Sequence, residues 1–280
     1  MGFLGGVSWA ILVARICQLY PNATVSTLLS KFFRTIPDWP WPLPLLLQRL
    51  PVNKPGSTAW DPRVNLRDRT HLMPVITPCY PQQNSTFNVT ASTRCVIIEE
   101  LRRGFDLVGK IMEGNKSWEE LFLPAKFFEE YNHFVVLKTS AASPEDLAEW
   151  DGLVKSRLRL LVAGLEQRRE IFLARPHEKS YSLEHNSSSW FVAMKFKIAK
   201  ANLDLGTTVA EFKSTVTEQA VKFGKHKPGM NISAECVNRR NIFRFLPDNV
   251  IQRERQTVAK RKRHFEDARE ILNNKRMCNK

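Results

Sequence analysis

The sequence predicts an α+β chain: a helical domain, a second domain whose strands and helices alternate as βαββαβ, and a basic tail that is helical or disordered. Three observations carry this. Helical apolar patterning fills 7–34 and 93–112. From residue 134 onward, short β-branched or alternating runs are interleaved with two amphipathic helices. Residues 251–280 hold 10 basic side chains against 4 acidic ones. The pattern changes at Gly114-Asn115, which places the domains at 1–113, 114–250 and 251–280.

The elements follow in order. Residues 7–19 form a helix that is apolar nearly all round, with Ser8, Arg15 and Gln18 on one narrow stripe. Such a helix is expected inside a helical domain. A short helix covers Val25–Arg34. Pro37, Pro40, Pro42 and Pro44 then interleave with Trp39 and Trp41 in an extended segment, because proline removes donors and breaks helices. Residues 51–93 continue as loop, a length that is uncommon unless the segment packs on something or is functional. The helix from Thr93 to Met112 carries the stripe Ile97, Leu101, Phe105, Val108 and Met112.

In the second half, Phe134–Lys138 is a strand, and Ser143-Pro144-Glu145-Asp146 starts a helix with a capping hydroxyl, a first-turn proline and acids. Leu147, Trp150, Val154, Leu158, Leu161 and Leu165 are its stripe. Glu170–Ala174 is a strand. Trp190–Ile198 alternates, with Trp190, Val192, Met194, Phe196 and Ile198 on one side and Phe191, Ala193, Lys195 and Lys197 on the other. Thr208 caps a helix bearing Val209, Phe212, Val216, Ala220 and Phe223, and Asn231–Val237 is the last strand. This order is the ferredoxin-like one, whose helices cover one sheet face and leave the other free for a ligand.

Composition narrows the function. At 280 residues and 43% hydrophobic content the chain can bury a core without staples. Its 42 Lys and Arg against 28 Asp and Glu give a net charge of +14, which points to anionic partners. The excess is +5 over residues 1–113, +3 over 114–250 and +6 over 251–280. Cys17, Cys79, Cys95, Cys236 and Cys278 show neither a disulfide framework nor zinc spacing, so a reducing compartment is expected. Asn-x-Ser/Thr triplets at Asn22, Asn84, Asn88, Asn115, Asn186 and Asn231 would matter only in a secreted glycoprotein. The apolar start lacks a basic n-region and is interrupted at Arg15, so neither a signal peptide nor a membrane span is expected.

Chemistry-bearing motifs are few. Gly6-Val7-Ser8-Trp9-Ala10 brushes against the G-x-S-x-G nucleophile elbow, but that motif needs a preceding strand. The other readings are a small-residue helix start and a helix N-terminus open to a phosphate-bearing ligand. No H-E-x-x-H, P-loop or paired Asp motif is found, so no metal ligands and no catalytic residues are assigned. Phe191, Lys195 and Lys197 make a candidate RNA-binding platform, with charges for phosphate and a ring for stacking; an ordinary solvated sheet face is the alternative. Lys260, Arg261, Lys262 and Arg263 suit nuclear import or nucleic-acid contact, and a solvated charged helix carries the same pattern.

Longer strings carry a resemblance. The run Gly2 to Ala10, continuing through Leu12-Val13-Ala14-Arg15 and Cys17 to Asn22, is similar to the middle domain of eukaryotic nuclear poly(A) polymerases. So are Trp60-Asp61-Pro62-Arg63-Val64-Asn65, His71-Leu72-Met73-Pro74, Ile76-Thr77-Pro78 and Tyr80 to Thr86. Phe127-Phe128, Tyr131, Glu149-Trp150 and Gly152-Leu153-Val154 resemble the family's RNA-binding domain, and the likeness spans about 1–250. The resemblance implies a nuclear enzyme that adds adenylates from ATP to mRNA 3′ ends. ATP, RNA including poly(A), and 3′-end processing factors are its implied partners. It implies that Gly6 and Val7 border the bound ATP. It also places the Gly-Ser motif, the metal-binding aspartates, and a lysine and tyrosine that help hold ATP upstream of Met1. Mg²⁺ or Mn²⁺ is therefore expected only for a full-length enzyme, and this polypeptide alone is expected to be inactive. The alternative is a non-catalytic RNA-binding or regulatory module.

Overall fold

The computed structural model describes residues 2–49, 58–123, 126–197 and 205–252. The chain divides into two compact units. Unit 1 comprises Met1–Pro124, Lys155–Arg175 and Phe196–Thr208; unit 2 comprises Ala125–Val154, Pro176–Lys195 and Val209–Lys280. The tail expected over 251–280 lies outside the described residues from 253 on.

Unit 1 is built on α1 (Gly6–Leu19), α2 (Val25–Thr35) and α3 (Ala91–Met112). Ile11, Leu12, Ile16, Phe32, Ile36, Trp41, Leu45, Met73, Val75, Ile97 and Leu101 belong to one buried cluster. The proline-rich segment runs as turns rather than extended, with the Leu43 amide donating to the Pro40 carbonyl at 2.9 Å, and it is pinned by Trp41, which is buried and whose indole donates to the Ile36 carbonyl at 3.1 Å. Residues 58–90 hold one 3₁₀ turn, Asp68–Thr70, and no strand. Isolated bridges of Val75 to Leu45 and of Ile76 to Asn84 are supplemented there by side chains. Asn84 Oδ1 accepts from the Val75 and Thr86 amides at 3.1 and 3.0 Å and from the Thr86 hydroxyl. Buried Asp61 accepts from the Arg63 amide and guanidinium, and Asp68 accepts from the Asp61 amide at 2.9 Å. Burying so many backbone groups requires such partners.

Three expectations for these helices are corrected. The α1 helix is not buried all round. It buries Ser8, Ile11, Leu12 and Ile16, while Val7, Trp9 and Val13 stay exposed at 62%, 41% and 48%. Of the polar stripe Ser8 is turned inward, because Ser85 offers it a partner, while Gln18 stays exposed. Ser8 Oγ donates to Ser85 Oγ at 3.0 Å, and Gln18 donates to the Leu47 carbonyl at 3.0 Å. The α3 helix starts two residues before Thr93. Thr90 is the cap, Thr93 returns the bond as in a capping box, and Glu166 adds acceptance from Thr90 Oγ1 and the Ser92 amide at 2.7 and 2.8 Å. Its buried stripe includes Gly104 and Ile111 in place of Phe105 and Met112, which are exposed.

The second half of the chain adds α4 (Phe127–Glu130), β1 (His133–Ser140), α5 (Pro144–Glu166), β2 (Ile171–Pro176), β3 (Ser187–Phe196), α6 (Gly206–Lys222) and β4 (Asn231–Asn238). The sheet order is β2-β3-β1-β4, and β1 runs antiparallel to both β3 and β4. This is the ferredoxin-like arrangement expected. The Asp146 amide donates to Ser143 Oγ at 3.1 Å, so the predicted α5 start stands. The α6 helix begins at Gly206, so Thr208 lies inside its first turn rather than at its cap. Among the described residues no helix is long and apolar enough to cross a membrane.

In unit 2 the register fixes which side chains share a face. Val135, Leu137 and Thr139 lie with Trp190 and Val192; Phe134 and Val136 lie with Phe191 and Ala193. The first face meets α5, whose Asp151 accepts from Thr139 Oγ1 and from the Trp190 indole at 3.2 Å.

Candidate nucleic-acid interface

The second face is not free. Phe191 is 0% exposed. Phe128 packs edge-on to it at 5.2 Å, and Tyr181 lies 6.0 Å away. Phe127, Tyr131, Phe134 and His177 complete a ring cluster, with His177 4.7 Å from Phe127 and 5.2 Å from Phe128. The platform expected at Phe191 is thus corrected: the short α4 and the chain after β2 roof it, so no base reaches this ring. Stacked and edge-on pairs of this kind add about 0.5–1.5 kcal/mol each beyond area burial. The cluster is a second core for the sheet.

Lys195 marks the open end of that face. It is half-buried, and its ammonium lies 5.1 Å from the Tyr131 ring centroid, a cation–π contact. On β1, His133 is the residue opposite both Met194 and Asn238. One step before it, the Asn132 carbonyl accepts from the Arg239 amide at 2.9 Å, which brings the turn after β4 to the end of the sheet where Lys195 follows Met194. Arg239 also donates through its guanidinium to the Glu129 carbonyl at 2.9 Å, and Arg240 beside it is exposed. Cations therefore gather at one end of the sheet, next to an aromatic edge. Sequence reasoning missed Arg239 and Arg240, because only strand register carries them to Lys195. Lys197, exposed, belongs to unit 1, where its amide donates to the Glu170 carbonyl at 2.9 Å.

Gly6 and Val7 open α1. Both are exposed, and a Cβ added at Gly5 or Gly6 would meet nothing within 4 Å. Gly5 has an ordinary extended backbone, φ −86° and ψ 170°. Neither conformation nor crowding within the described residues asks for glycine here. Ser8 is buried against Ser85, which leaves the hydrolase pattern without an accessible nucleophile. Among the described residues no three His, Cys, Asp or Glu side chains come together to hold a metal ion. The divalent cation that the resemblance implies does not fit these residues. Lys260–Arg263 lie outside the described residues.

Comparison with known proteins matches these parts. Residues 1–124 match the family model described as the poly(A) polymerase central domain, and 126–189 match the poly(A) polymerase predicted RNA binding domain. Nuclear poly(A) polymerase 1 of Arabidopsis thaliana is 40% identical over 253 residues, covering 88% of this chain and 35% of that protein. Nuclear poly(A) polymerase 4 of the same plant is 37% identical over 265 residues, covering 91% and 35%. The chain thus spans about a third of the length of these curated relatives. With two consecutive segments matching two domains of one enzyme, in the order of helical unit and sheet, the chain belongs to the poly(A) polymerase family through its central and RNA-binding domains.

Proposed function

We propose that this chain supplies two parts of a nuclear poly(A) polymerase: a wall bordering ATP, and a grip on the RNA whose 3′ end is extended. The observation that carries the RNA grip is the gathering of Lys195 and Arg239 at one sheet end, with Arg240 next in the chain. Phosphates meet the cations, and Tyr131 holds Lys195 in place from beneath. Lys197 adds charge along the same run of chain. The ATP wall rests on Gly6 and Val7, which are open to a nucleotide at the start of α1 and are needed by nothing around them. Adenylyl transfer needs metal-holding carboxylates, so this polypeptide by itself is proposed to transfer none. Lys260–Arg263 are proposed to direct the chain to the nucleus.

The test is oligoadenylate binding by the 280-residue chain across a salt series, with labelled-ATP incorporation measured alongside. The pair Lys195→Glu and Arg239→Glu should weaken binding at least about tenfold and lower the salt slope by about 1.4, since each single-strand phosphate contact contributes about 0.7. Unchanged binding would overturn the grip. Incorporation of adenylate by the chain alone would overturn its assignment as non-catalytic.

A further inference from the structure

Unit 1 carries a second basic and aromatic site, remote in sequence from the sheet. Lys31 and Arg34 stand one turn apart on α2, and Tyr20, Asp38, Trp39 and Pro40 join them around a cleft of about 460 Å³. That volume is in the range of small-ligand sites and admits one nucleotide. The Lys31 ammonium lies 5.1 Å from the Tyr20 ring centroid. The one acid of the cleft, Asp38, pairs with Arg102 at 3.6 Å. Lys31 and Arg34 have no carboxylate partner among the described residues. Trp39 is half-buried, and its ring is fixed by donation from Nε1 to the Leu43 carbonyl at 2.9 Å and by contact with Trp41 at 6.1 Å.

We propose that this cleft binds a nucleotide of single-stranded RNA, with a phosphate between Lys31 and Arg34 and a base against Trp39. Uncompensated cations beside a pre-set aromatic plane are what a sequence-tolerant single-strand site needs. An acidic peptide would satisfy the cations but leave the indole and proline wall unused. The site is separate from the sheet end and shares with that reading only the class of ligand.

The experiment photo-crosslinks the 280-residue chain to a short oligoadenylate carrying one 4-thiouridine and maps the adducts by mass spectrometry. Adducts are expected on peptides bearing Tyr20 or Trp39. They should vanish in the Lys31→Glu, Arg34→Glu pair, whose melting temperature should stay at the wild-type value. The salt slope of binding should fall by about 1.4 in that pair. Adducts confined to residues 126–252, or a pair that binds with the wild-type salt slope, would overturn the proposal. So would a poly-glutamate peptide that occupies the cleft where oligoadenylate leaves no adduct. The Lys195→Glu, Arg239→Glu pair separates the two readings. Cleft adducts that persist in it support an independent cleft, and normal RNA affinity in it refutes the sheet-end grip while the cleft stands.

Discussion

At Gly104 one methyl group decides how two helices meet. A Cβ there would stand 2.4 Å from the Phe33 ring. Gly104→Ala should therefore lower stability by about 1–3 kcal/mol through overpacking, despite a helix-propensity gain of up to about 1 kcal/mol. The urea midpoint reads this, and Phe33→Leu added to Gly104→Ala should recover most of it. A single variant as stable as wild type would show that the helices part freely. This contact was invisible in the sequence: glycine carries no apolar weight, so the periodicity placed Phe105 on the buried stripe. His71 makes a second residue-scale case. Its Nδ1 accepts from the Trp60 indole at 3.0 Å, and burial lowers its pKa against the opposing pull of Asp68. A lowered folded-state value means that the unfolded chain takes the proton first, from about pH 6.5 downward. Stability should thus be full above that pH and be lost as the pH falls through the folded value. The wild-type melting temperature should drop between about pH 7 and 5 more steeply than that of His71→Gln. Parallel curves would exclude His71 as the cause.

Among the elements, α3 depends on a carboxylate far along the chain. Glu166 accepts from Thr90 Oγ1 and from the Ser92 amide at the helix start. Glu166→Ala should cost about 1–2 kcal/mol, the worth of a cap with a favourable dipole interaction, and Glu166→Gln less, since an acceptor remains. Equal losses in the two variants, measured by chemical denaturation, would remove the charge from the explanation. The stripe at Trp150–Leu165 was legible because that helix is sorted by burial, whereas Trp190–Met194 is buried on both faces and its strand shows in the sequence only through its β-branched and aromatic run. The α4 helix is not legible as a cover, since four residues show no period, and without that cover the alternation predicts an open face at Phe191. The α1 helix misled in another way. Hydropathy assigns its polar stripe to water, yet Ser8 is buried on Ser85 beside Ile11, Leu12 and Ile16, while Val7, Trp9 and Val13 are left outside.

For the whole molecule, exposure of Val7, Trp9 and Val13 on one helix should favour self-association. Light scattering should show mass rising with concentration, and Val13→Glu should reduce that rise; a concentration-independent monomer would contradict it. The order of elements was readable throughout, whereas the gathering of Lys195 and Arg239 needed register, a property of pairs of strands rather than of any one segment. The make-up of unit 1 from three separated stretches bears on how the chain is born. Synthesis delivers residues one at a time, at roughly 5–20 per second. When Pro124 is added, Thr90 and Ser92 already exist but their acceptor Glu166 does not, and the Ala174 amide that donates to Ser92 Oγ at 2.9 Å comes later still. For several seconds the nascent α3 must wait uncapped by Glu166, with its apolar stripe in place and its closing partners still untranslated. A released fragment ending at Pro124 should accordingly be cut by protease within α3, and the 280-residue chain should resist there.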